Sequence, residues 1–163
     1  MKPTGIFIGR FQPFHNGHML VVRGMVKMCG RVVIAIGSSQ EKGTDTNPYS
    51  AEKRRDMIQH ALQGADLIPL YDIEFLNIPD MESDEDWARH LIEKVNADGV
   101  VQVWTGNEDT EKCFSGMSVE IRKIKEVPGI SSTKIRDMIK VEDVDWKEMV
   151  PQEVMSSILK IKE

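Results

Sequence analysis

Three short apolar runs, each followed by or ending in a glycine, constrain the fold of this chain more than any other feature. They are "TGIFIG" (Thr4 to Gly9), "RVVIAIG" (Arg31 to Gly37) and "VVQVWTG" (Val100 to Gly106). Their length and continuous apolar character are typical of strands buried on both faces. In open parallel sheets the ligand crevice lies beyond the carboxyl ends of the strands, so we expect Gly9, Gly37 and Gly106 to rim it.

Segments with helical spacing of apolar residues separate these strands. The first runs from Gly17 to Cys29, the second follows a capping Ser50 and ends at Gly64, and a third is closed by Gly99. Helical spacing continues in the tail from Asp143 to Lys162. This alternation predicts an α/β fold, a doubly wound parallel sheet with helices on both faces and helices at the C-terminus. Without internal repeats or linkers, residues 1–163 are expected to form one domain.

Composition excludes several classes of protein. With 40% apolar and 29% charged residues the chain has an ordinary globular composition, and its net charge of −5 argues against a nucleic-acid binder held by phosphates. No apolar run approaches the roughly 20 residues of a membrane-spanning helix. The N-terminus has no signal-peptide pattern, and the two cysteines, Cys29 and Cys113, fit no metal or redox spacing. These features predict a cytoplasmic protein without membrane or nucleic-acid partners.

The segment "GRFQPFHNGH" follows the first strand and carries the most specific motif. His15 and His18 are three residues apart, with Gly17 between them, where a strand turns into a helix. Free N–H groups at a helix N-terminus favour bound phosphate, and two imidazoles on one helical face could both donate to phosphate oxygens, while Gly17 leaves room for a ligand or another backbone. The alternative is a pair of incidental surface histidines. A zinc site is poorly supported, because no cysteine or carboxylate at ligand spacing completes a tetrahedral shell.

A second candidate motif, "GISSTKIR" from Gly129 to Arg136, lies near the other end of the chain. Its hydroxyls could form a plain helix N-cap, or they could supply donors to an anion together with Arg136 one turn into the helix. Paired with the first motif, it predicts a second helix start that binds phosphate.

With both motifs in place, the chain resembles the nucleotidyltransferases that carry H-x-G-H and I-S-S-T-x-x-R motifs. The segments "IGSSQ", "NPYSAEKRRDMI", "DIEFLN" and "TGN" extend this likeness to the archaeal-type nicotinamide-mononucleotide adenylyltransferases, from Gly5 to about Pro151. The resemblance implies a Rossmann-like fold and a homo-oligomer. It also implies ATP and nicotinamide mononucleotide as substrates, with Mg²⁺ arriving bound to ATP and no metal site formed by the protein itself.

The resemblance also implies a site. His15, His18, Arg10 and Arg136 would be the catalytic residues, holding the phosphates and stabilising the leaving pyrophosphate. Other residues would bind the nucleotide, namely Gly9, Phe11, Gly17, Gly37, Ser38, Gly106, Asn107, Ile130, Ser131, Ser132 and Thr133. The acceptor mononucleotide would contact Gln40, Asn77, Asp84 and Trp87, with the tryptophan stacked on its ring.

The chain departs from the family pattern in two places. The segment "EKGTDTNP" lacks the arginine that some members carry before the proline, so Lys42 is its only basic residue. Members also place an asparagine three residues before the tryptophan, whereas this chain has Asp84 there and Asn77 further upstream, behind the insertion "IPDMESDED". Other acceptors therefore stay open, namely nicotinate mononucleotide, phosphopantetheine, FMN or a sugar or polyol phosphate. A nucleotide-binding module without turnover is the alternative from another class.

Overall fold

The computed structural model describes residues 1–162, and its strands form one five-stranded sheet. In chain order the strands are β1 (Thr4–Gly9), β2 (Arg31–Ile36), β3 (Ile73–Asn77), β4 (Val101–Thr105) and β5 (Glu120–Lys123). Their order across the sheet is β3-β2-β1-β4-β5, and every neighbouring pair is parallel. The predicted α/β fold with a doubly wound parallel sheet is confirmed.

Within residues 1–162, six α-helices connect and follow the strands. They are α1 (Asn16–Met28), α2 (Ala51–Gly64), α3 (Asp84–Val95), α4 (Glu108–Lys112), α5 (Ser132–Lys140) and α6 (Gln152–Ile161). A 3₁₀ turn, Val144–Glu148, precedes α6, and Pro151 stands at the N-cap of that helix. Proline lacks an N–H and favours the start of a helix, so it divides the tail that the sequence pattern predicts as helical.

Successive side chains of a strand point to opposite faces of the sheet, and each face has its own core. Phe7 and Ile34 belong to the cluster that includes α1, α2, α5 and α6, whereas Ile6 and Val33 belong to the cluster that includes α3. Fully burying such a side chain contributes about 1.5–3 kcal/mol, which explains why the central positions of these strands are apolar. Within residues 1–162, no helix has both the length and the apolar character needed to cross a membrane.

The strand order reverses next to β1, and this places the crevice. From β1 the chain proceeds through β2 to β3 at one edge and then returns to β4 on the other side of β1. The segments that follow β1 and β4 therefore diverge, leaving a crevice at the carboxyl ends of these two strands.

One expected helix end differs from the structure. Helix α3 ends at Val95 with Asn96 in the left-handed conformation (φ 47°), so Asn96 and not Gly99 ends it. Strand β3 begins at Ile73, and the chain before it turns, with Asp66 at a positive φ of 59°. Helix α4 has five residues, too few for a periodic pattern to indicate it.

Candidate active site

His15 and His18 cap the N-terminus of α1 reciprocally. His15 is the N-cap residue, and its Nδ1 accepts the backbone N–H of Gly17 at 3.0 Å and of His18 at 3.3 Å. In return, His18 Nδ1 accepts the backbone N–H of His15 at 3.1 Å. The two rings stack with centroids 3.6 Å apart and planes 18° apart. The spacing thus produces a capping box made of imidazoles, with His15 just outside the helix and His18 in its first turn.

This capping arrangement fixes which nitrogen of each ring carries the proton. A neutral imidazole has one donor and one acceptor nitrogen, and in both rings Nδ1 is the acceptor. The proton of each ring therefore lies on its Nε2. Neither Nε2 has a hydrogen-bond partner within residues 1–162. His15 and His18 both line the same cleft. The arrangement offers two N–H donors side by side.

Burial keeps both rings neutral. It lowers the pKa of His15 from its ordinary value of 6.5 to about 4. The pKa of His18 lies well below 6.5, because the ring is buried and because His15 lies beside it. Rings of Phe7, Phe11 and Phe14 surround His18, with centroids 4.9 to 5.8 Å away. At pH 7 the free protein thus presents neutral donors.

The two glycines of this segment make room for aromatic rings of the same segment. A Cβ at Gly17 would lie 2.8 Å from His15 Cε1 and 3.0 Å from its Nδ1. A Cβ at Gly9 would lie 2.9 Å from the Phe11 ring. Phe11 itself has a positive φ of 54°, a strained conformation for a bulky residue, and is 2% exposed among other aromatic side chains. The space beside Gly17 is thus filled by the His15 ring, whereas the sequence predicts that a ligand or another backbone would lie there.

Helix α5 joins the second motif directly to the first. Ser131 is the N-cap, and its Oγ accepts the backbone N–H of Lys134 at 3.0 Å. Ser132 Oγ donates to the carbonyl of Pro13 at 2.8 Å, and Arg136 Nη1 donates to the carbonyl of Gln12 at 2.8 Å. The motif therefore combines a helix cap with a connection across 119 and 124 residues of sequence.

Several donors of the second motif are already used within the protein. Arg136 Nη2 also donates to Thr133 Oγ1 at 3.3 Å. The hydroxyl proton of Ser132 is used on Pro13, so its hydroxyl is not a free donor. Arg136 lies close enough to Arg10 for its charge to lower the Arg136 pKa, after burial as the larger cause. The two guanidinium groups thus converge on one region of the cleft.

The cleft at this edge of the sheet has a volume of about 540 Å³. Arg10, Lys125 and Arg136 supply positive charge, against Glu108 and Glu126. Twelve of the predicted site residues line it: Arg10, Phe11, His15, Gly17, His18, Gly106, Asn107, Ile130, Ser131, Ser132, Thr133 and Arg136. The cleft is a concave site in which helix starts, neutral N–H donors and cations meet, as a polyphosphate requires.

Gly9, Gly37 and Ser38 are not among the residues that line the cleft. Gly9 faces the Phe11 ring, and the Gly37 N–H donates to the Gly9 carbonyl at 2.8 Å. Both glycines therefore pack where the end of β1 meets the end of β2. The expectation that three strand-ending glycines rim the crevice holds for Gly106 alone.

The predicted acceptor residues also lie outside the 540 Å³ cleft. Asp84 and Trp87 line a second cavity, of about 320 Å³, together with Asp80, Met81, Asp109, Thr110 and Cys113. The Trp87 ring packs edge-on against Phe114, with centroids 5.8 Å apart. Asn77 is exposed and lines neither cavity, and its carbonyl accepts a hydrogen bond from Lys94 at 3.3 Å.

Asp80, which sequence reasoning did not single out, connects the insertion to the end of β2. Its carboxylate accepts hydrogen bonds from Ser38 Oγ at 2.9 Å and from Gln40 Nε2 at 2.7 Å. Its backbone N–H donates to Gln40 Oε1 at 3.0 Å. Both polar ends of the Gln40 side chain are therefore engaged by Asp80, which places Gln40 beside the Trp87 cavity.

Two further residues were missed because their role depends on contacts far apart in sequence. Gln12, 1% exposed, exchanges two hydrogen bonds of 2.9 Å with the backbone of Tyr49. Lys125 lines the cleft from the segment after β5 and belongs to neither motif. Within residues 1–162, no group of three metal-binding side chains is placed to hold a metal ion.

Comparison with known proteins agrees with this geometry. The cytidylyltransferase-like family model matches residues 6–138. The chain is 34% identical over 171 aligned positions to a nicotinamide-nucleotide adenylyltransferase of Thermococcus kodakarensis, covering 99% of this chain and 85% of the relative. It is 36% identical over 162 positions to a protein of the same name from Saccharolobus solfataricus, covering 97% and 91%.

A solved structure, a bifunctional NMN adenylyltransferase/ADP ribose pyrophosphatase from Francisella tularensis, has a TM-score of 0.80 at 23% identity. The match covers 92% of this chain and 45% of that chain, so this chain spans about half of that protein's length. A protein described in the same words and from the same organism, complexed with AMP and MN ion, has a TM-score of 0.76 at 22% identity.

The fold, the paired motifs and the matched family model together define the chain as a nucleotidyltransferase of the cytidylyltransferase-like family. Full-length similarity to the archaeal relatives narrows the class further. The chain belongs to the nicotinamide-nucleotide adenylyltransferase family.

Proposed function

We propose that this protein transfers the adenylyl group of ATP to nicotinamide mononucleotide, giving NAD and pyrophosphate. The observation that carries the proposal is the pair of Nε2–H donors of His15 and His18 in a cleft that also holds Arg10 and Arg136. Family membership supports the identity of both substrates.

The reaction needs no general base. At neutral pH the phosphate of the mononucleotide already carries nucleophilic oxygens, and one of them attacks the α-phosphorus of ATP. A P–O bond forms there while the bond from the α-phosphorus to the bridging oxygen breaks, and pyrophosphate leaves with the electron pair. Catalysis therefore consists of positioning and of stabilising the charge that develops on the phosphates.

The two histidines and the two arginines have distinct parts in this step. His15 and His18 donate Nε2–H to the phosphate oxygens as neutral groups, so binding requires no protonation of the rings. Arg10 and Arg136 hold the β- and γ-phosphates and the departing pyrophosphate, as planar guanidinium groups suit. The first turn of α5 presents backbone N–H groups to the same anion, whereas the N–H groups of Gly17 and His18 in α1 are already donated to His15 Nδ1.

A divalent cation fits this site as a partner of ATP. Mg²⁺ prefers oxygen ligands, keeps several waters and is commonly bound through substrate phosphates. The cleft offers only Glu108 and Glu126 as carboxylates, so the phosphates are its main ligands. When bound, the cation neutralises phosphate charge. We further propose that the protein acts as a homo-oligomer in the cytoplasm, as the family resemblance implies.

The acceptor is assigned to the cavity beside Trp87. An indole ring suits a flat, electron-poor heteroaromatic ring, and the cavity lies next to the cleft in sequence, with Asn107 and Glu108 lining one and Asp109 and Thr110 the other. The phosphate of the mononucleotide would then face His15 and His18 while its ring lies at Trp87.

The first test is pyrophosphate release by the purified protein with ATP and Mg²⁺. Separate reactions contain nicotinamide mononucleotide, nicotinate mononucleotide, phosphopantetheine, FMN or a polyol phosphate. Release with nicotinamide mononucleotide, with NAD as the product, supports the proposal. Release with another acceptor alone refutes the assignment of the Trp87 cavity, and binding of ATP without release from any acceptor favours a non-catalytic nucleotide-binding module.

The matched variants are H18A and H60A. His60 is an exposed residue of α2, so its replacement should leave turnover unchanged. Losing one donor to the developing charge lowers kcat by about a hundredfold, which we expect for H18A. Turnover of H18A within a few-fold of the wild type would refute the role of the histidine pair.

A further inference from the structure

Arg54, on the first turn of α2, is the largest fully buried side chain of the described residues and is 1% exposed. Neither motif includes it. Its guanidinium donates only to backbone carbonyls, those of Arg10 (2.8 Å), Gly37 (2.7 Å), Ser38 (3.1 Å), Ser50 (3.3 Å) and Glu41 (3.5 Å). Among residues 1–162, no carboxylate forms an ion pair with it.

A buried charge without a counterion is an unusual means of stabilising a folded structure. Desolvating an unpaired charge is unfavourable, and buried arginines are normally paired. Burial lowers the pKa of Arg54 to about 10, and the nearby charge of Arg10 acts in the same direction. A neutral side chain would bond one or two of these carbonyls with less desolvation, so holding loops together does not by itself explain a cation here.

Three of the five carbonyls that Arg54 binds, those of Arg10, Gly37 and Ser38, belong to the ends of β1 and β2. Arg10 follows β1, while Gly37 and Ser38 follow β2, and the Gly37 N–H donates to the Gly9 carbonyl at 2.8 Å. Ser38 has a positive φ of 45°, a conformation that needs support from its surroundings. One guanidinium therefore fixes the backbone from which the Arg10 side chain enters the cleft.

We infer that Arg54 is a positioning residue for the triphosphate. It fixes the backbone of Arg10 at the end of β1 relative to the end of β2, and its uncompensated charge adds positive potential directly behind the cleft wall. The inference rests on the proposed function, since it assigns to Arg54 a part in binding the ATP of that reaction. Preorganised charge in a low-dielectric region acts on a bound anion without reorganisation during the reaction.

The variant R54K keeps the charge but loses the planar fork that reaches several carbonyls at once. The matched control is R55K, because Arg55 is the next residue of α2, is exposed and lies over the Phe75 ring at 5.4 Å. For R54K we expect KM for ATP to rise about tenfold or more, with KM for the mononucleotide within about twofold of the wild type, since misplaced binding groups weaken the contacts they make. R55K should match the wild type in both constants.

A merely structural role predicts a different result. It lowers the midpoint of thermal unfolding and the amount of active enzyme, and hence the apparent kcat, while KM for ATP stays unchanged. Folded R54K with an unchanged KM for ATP overturns the inference. If the wild type releases no pyrophosphate with any acceptor, the proposed function fails, and the Arg54 inference is decided by the binding experiment that follows.

A measurement on the wild type covers the case in which R54K does not fold. In protein labelled with ¹⁵N-arginine, the Nε–H resonances of Arg54 and Arg55 are followed as a non-hydrolysable ATP analogue is added without acceptor. Charge placed behind the triphosphate predicts that the Arg54 resonance shifts and that the Arg55 resonance does not. An Arg54 resonance that does not respond to saturating analogue overturns the inference.

Discussion

Replacing Gly17 with alanine tests the geometry of the histidine pair directly. The added Cβ would lie 2.8 Å from Cε1 and 3.0 Å from Nδ1 of the His15 ring, closer than side chains tolerate. Moving the ring is the simplest relief, because the backbone of α1 is held by its own hydrogen bonds. The ring then loses the two N–H groups that its Nδ1 accepts, and its Nε2 leaves the position beside His18.

The magnitudes separate stability from activity. Loss of an N-cap bond destabilises by about 0.5–2 kcal/mol, whereas alanine in place of glycine in a helix gains up to about 1 kcal/mol. We therefore expect the free energy of unfolding of G17A to lie within roughly 1 kcal/mol of the wild type. Turnover should fall by about a hundredfold, because one donor to the phosphates is displaced.

The assay combines urea unfolding with pyrophosphate release, and G24A is the control. Gly24 lies in the same helix and has no atom within 4 Å of an added Cβ, so alanine there should stabilise by about 0.5–1 kcal/mol without affecting turnover. A G17A protein as active as G24A would refute the reasoning that Gly17 exists to accommodate the His15 ring.

Two further predictions concern protonation and the acceptor. The pKa of His15 falls from 6.5 to about 4 on folding, so between these values the unfolded chain binds the extra proton, and the free energy of unfolding must fall as the pH is lowered through this window. Because of His15, the free energies of unfolding measured with urea at pH 7.5 and at pH 5.5 should differ by roughly 1–2 kcal/mol, and His18 acts in the same direction. Equal free energies at both pH values would contradict the burial of neutral rings. For W87A we expect KM for nicotinamide mononucleotide to rise about tenfold while KM for ATP is unchanged, as the loss of a stacking partner predicts, and an unchanged acceptor KM would remove Trp87 from the site.

The core strands were predictable because their signal is local. A strand buried on both faces must be apolar along its buried length, so "VVIAI" after Arg31 indicates its own structure. The hydroxyl of Ser50 marks the start of α2. Where a local rule has two candidates, tertiary contacts decide. Asn96 and Gly99 both follow α3 and both adopt positive φ, and the residue that ends the helix is the asparagine.

The residues of the candidate site were predictable only where they belong to a short motif of chemically distinctive side chains. Two histidines flanking a glycine are a rare pattern. The segment "SAEKRRDMI", in contrast, resembles a solvent-exposed helix, and nothing in it indicates that Arg54 is buried while Arg55 is exposed. Asp80 is equally hidden in an acidic loop, since its partners Ser38 and Gln40 lie about 40 residues away. Such residues act through backbone and side-chain partners that only the fold brings close.

Side chains from distant parts of the chain hold the segment between β1 and α1, which has no regular structure. Between β1 and α1, the carbonyls of Arg10, Gln12 and Pro13 are each taken by a side chain from elsewhere, Arg54 on α2 or Arg136 and Ser132 on α5. Backbone polar groups that are left unpaired would favour other conformations of such a segment. Because each carbonyl has a donor, the segment keeps one shape without a ligand, and a triphosphate would meet donors already in place. The same contacts make the site depend on both motifs at once, since Arg136 of the second motif lines the cleft and also holds the loop that carries the histidines of the first.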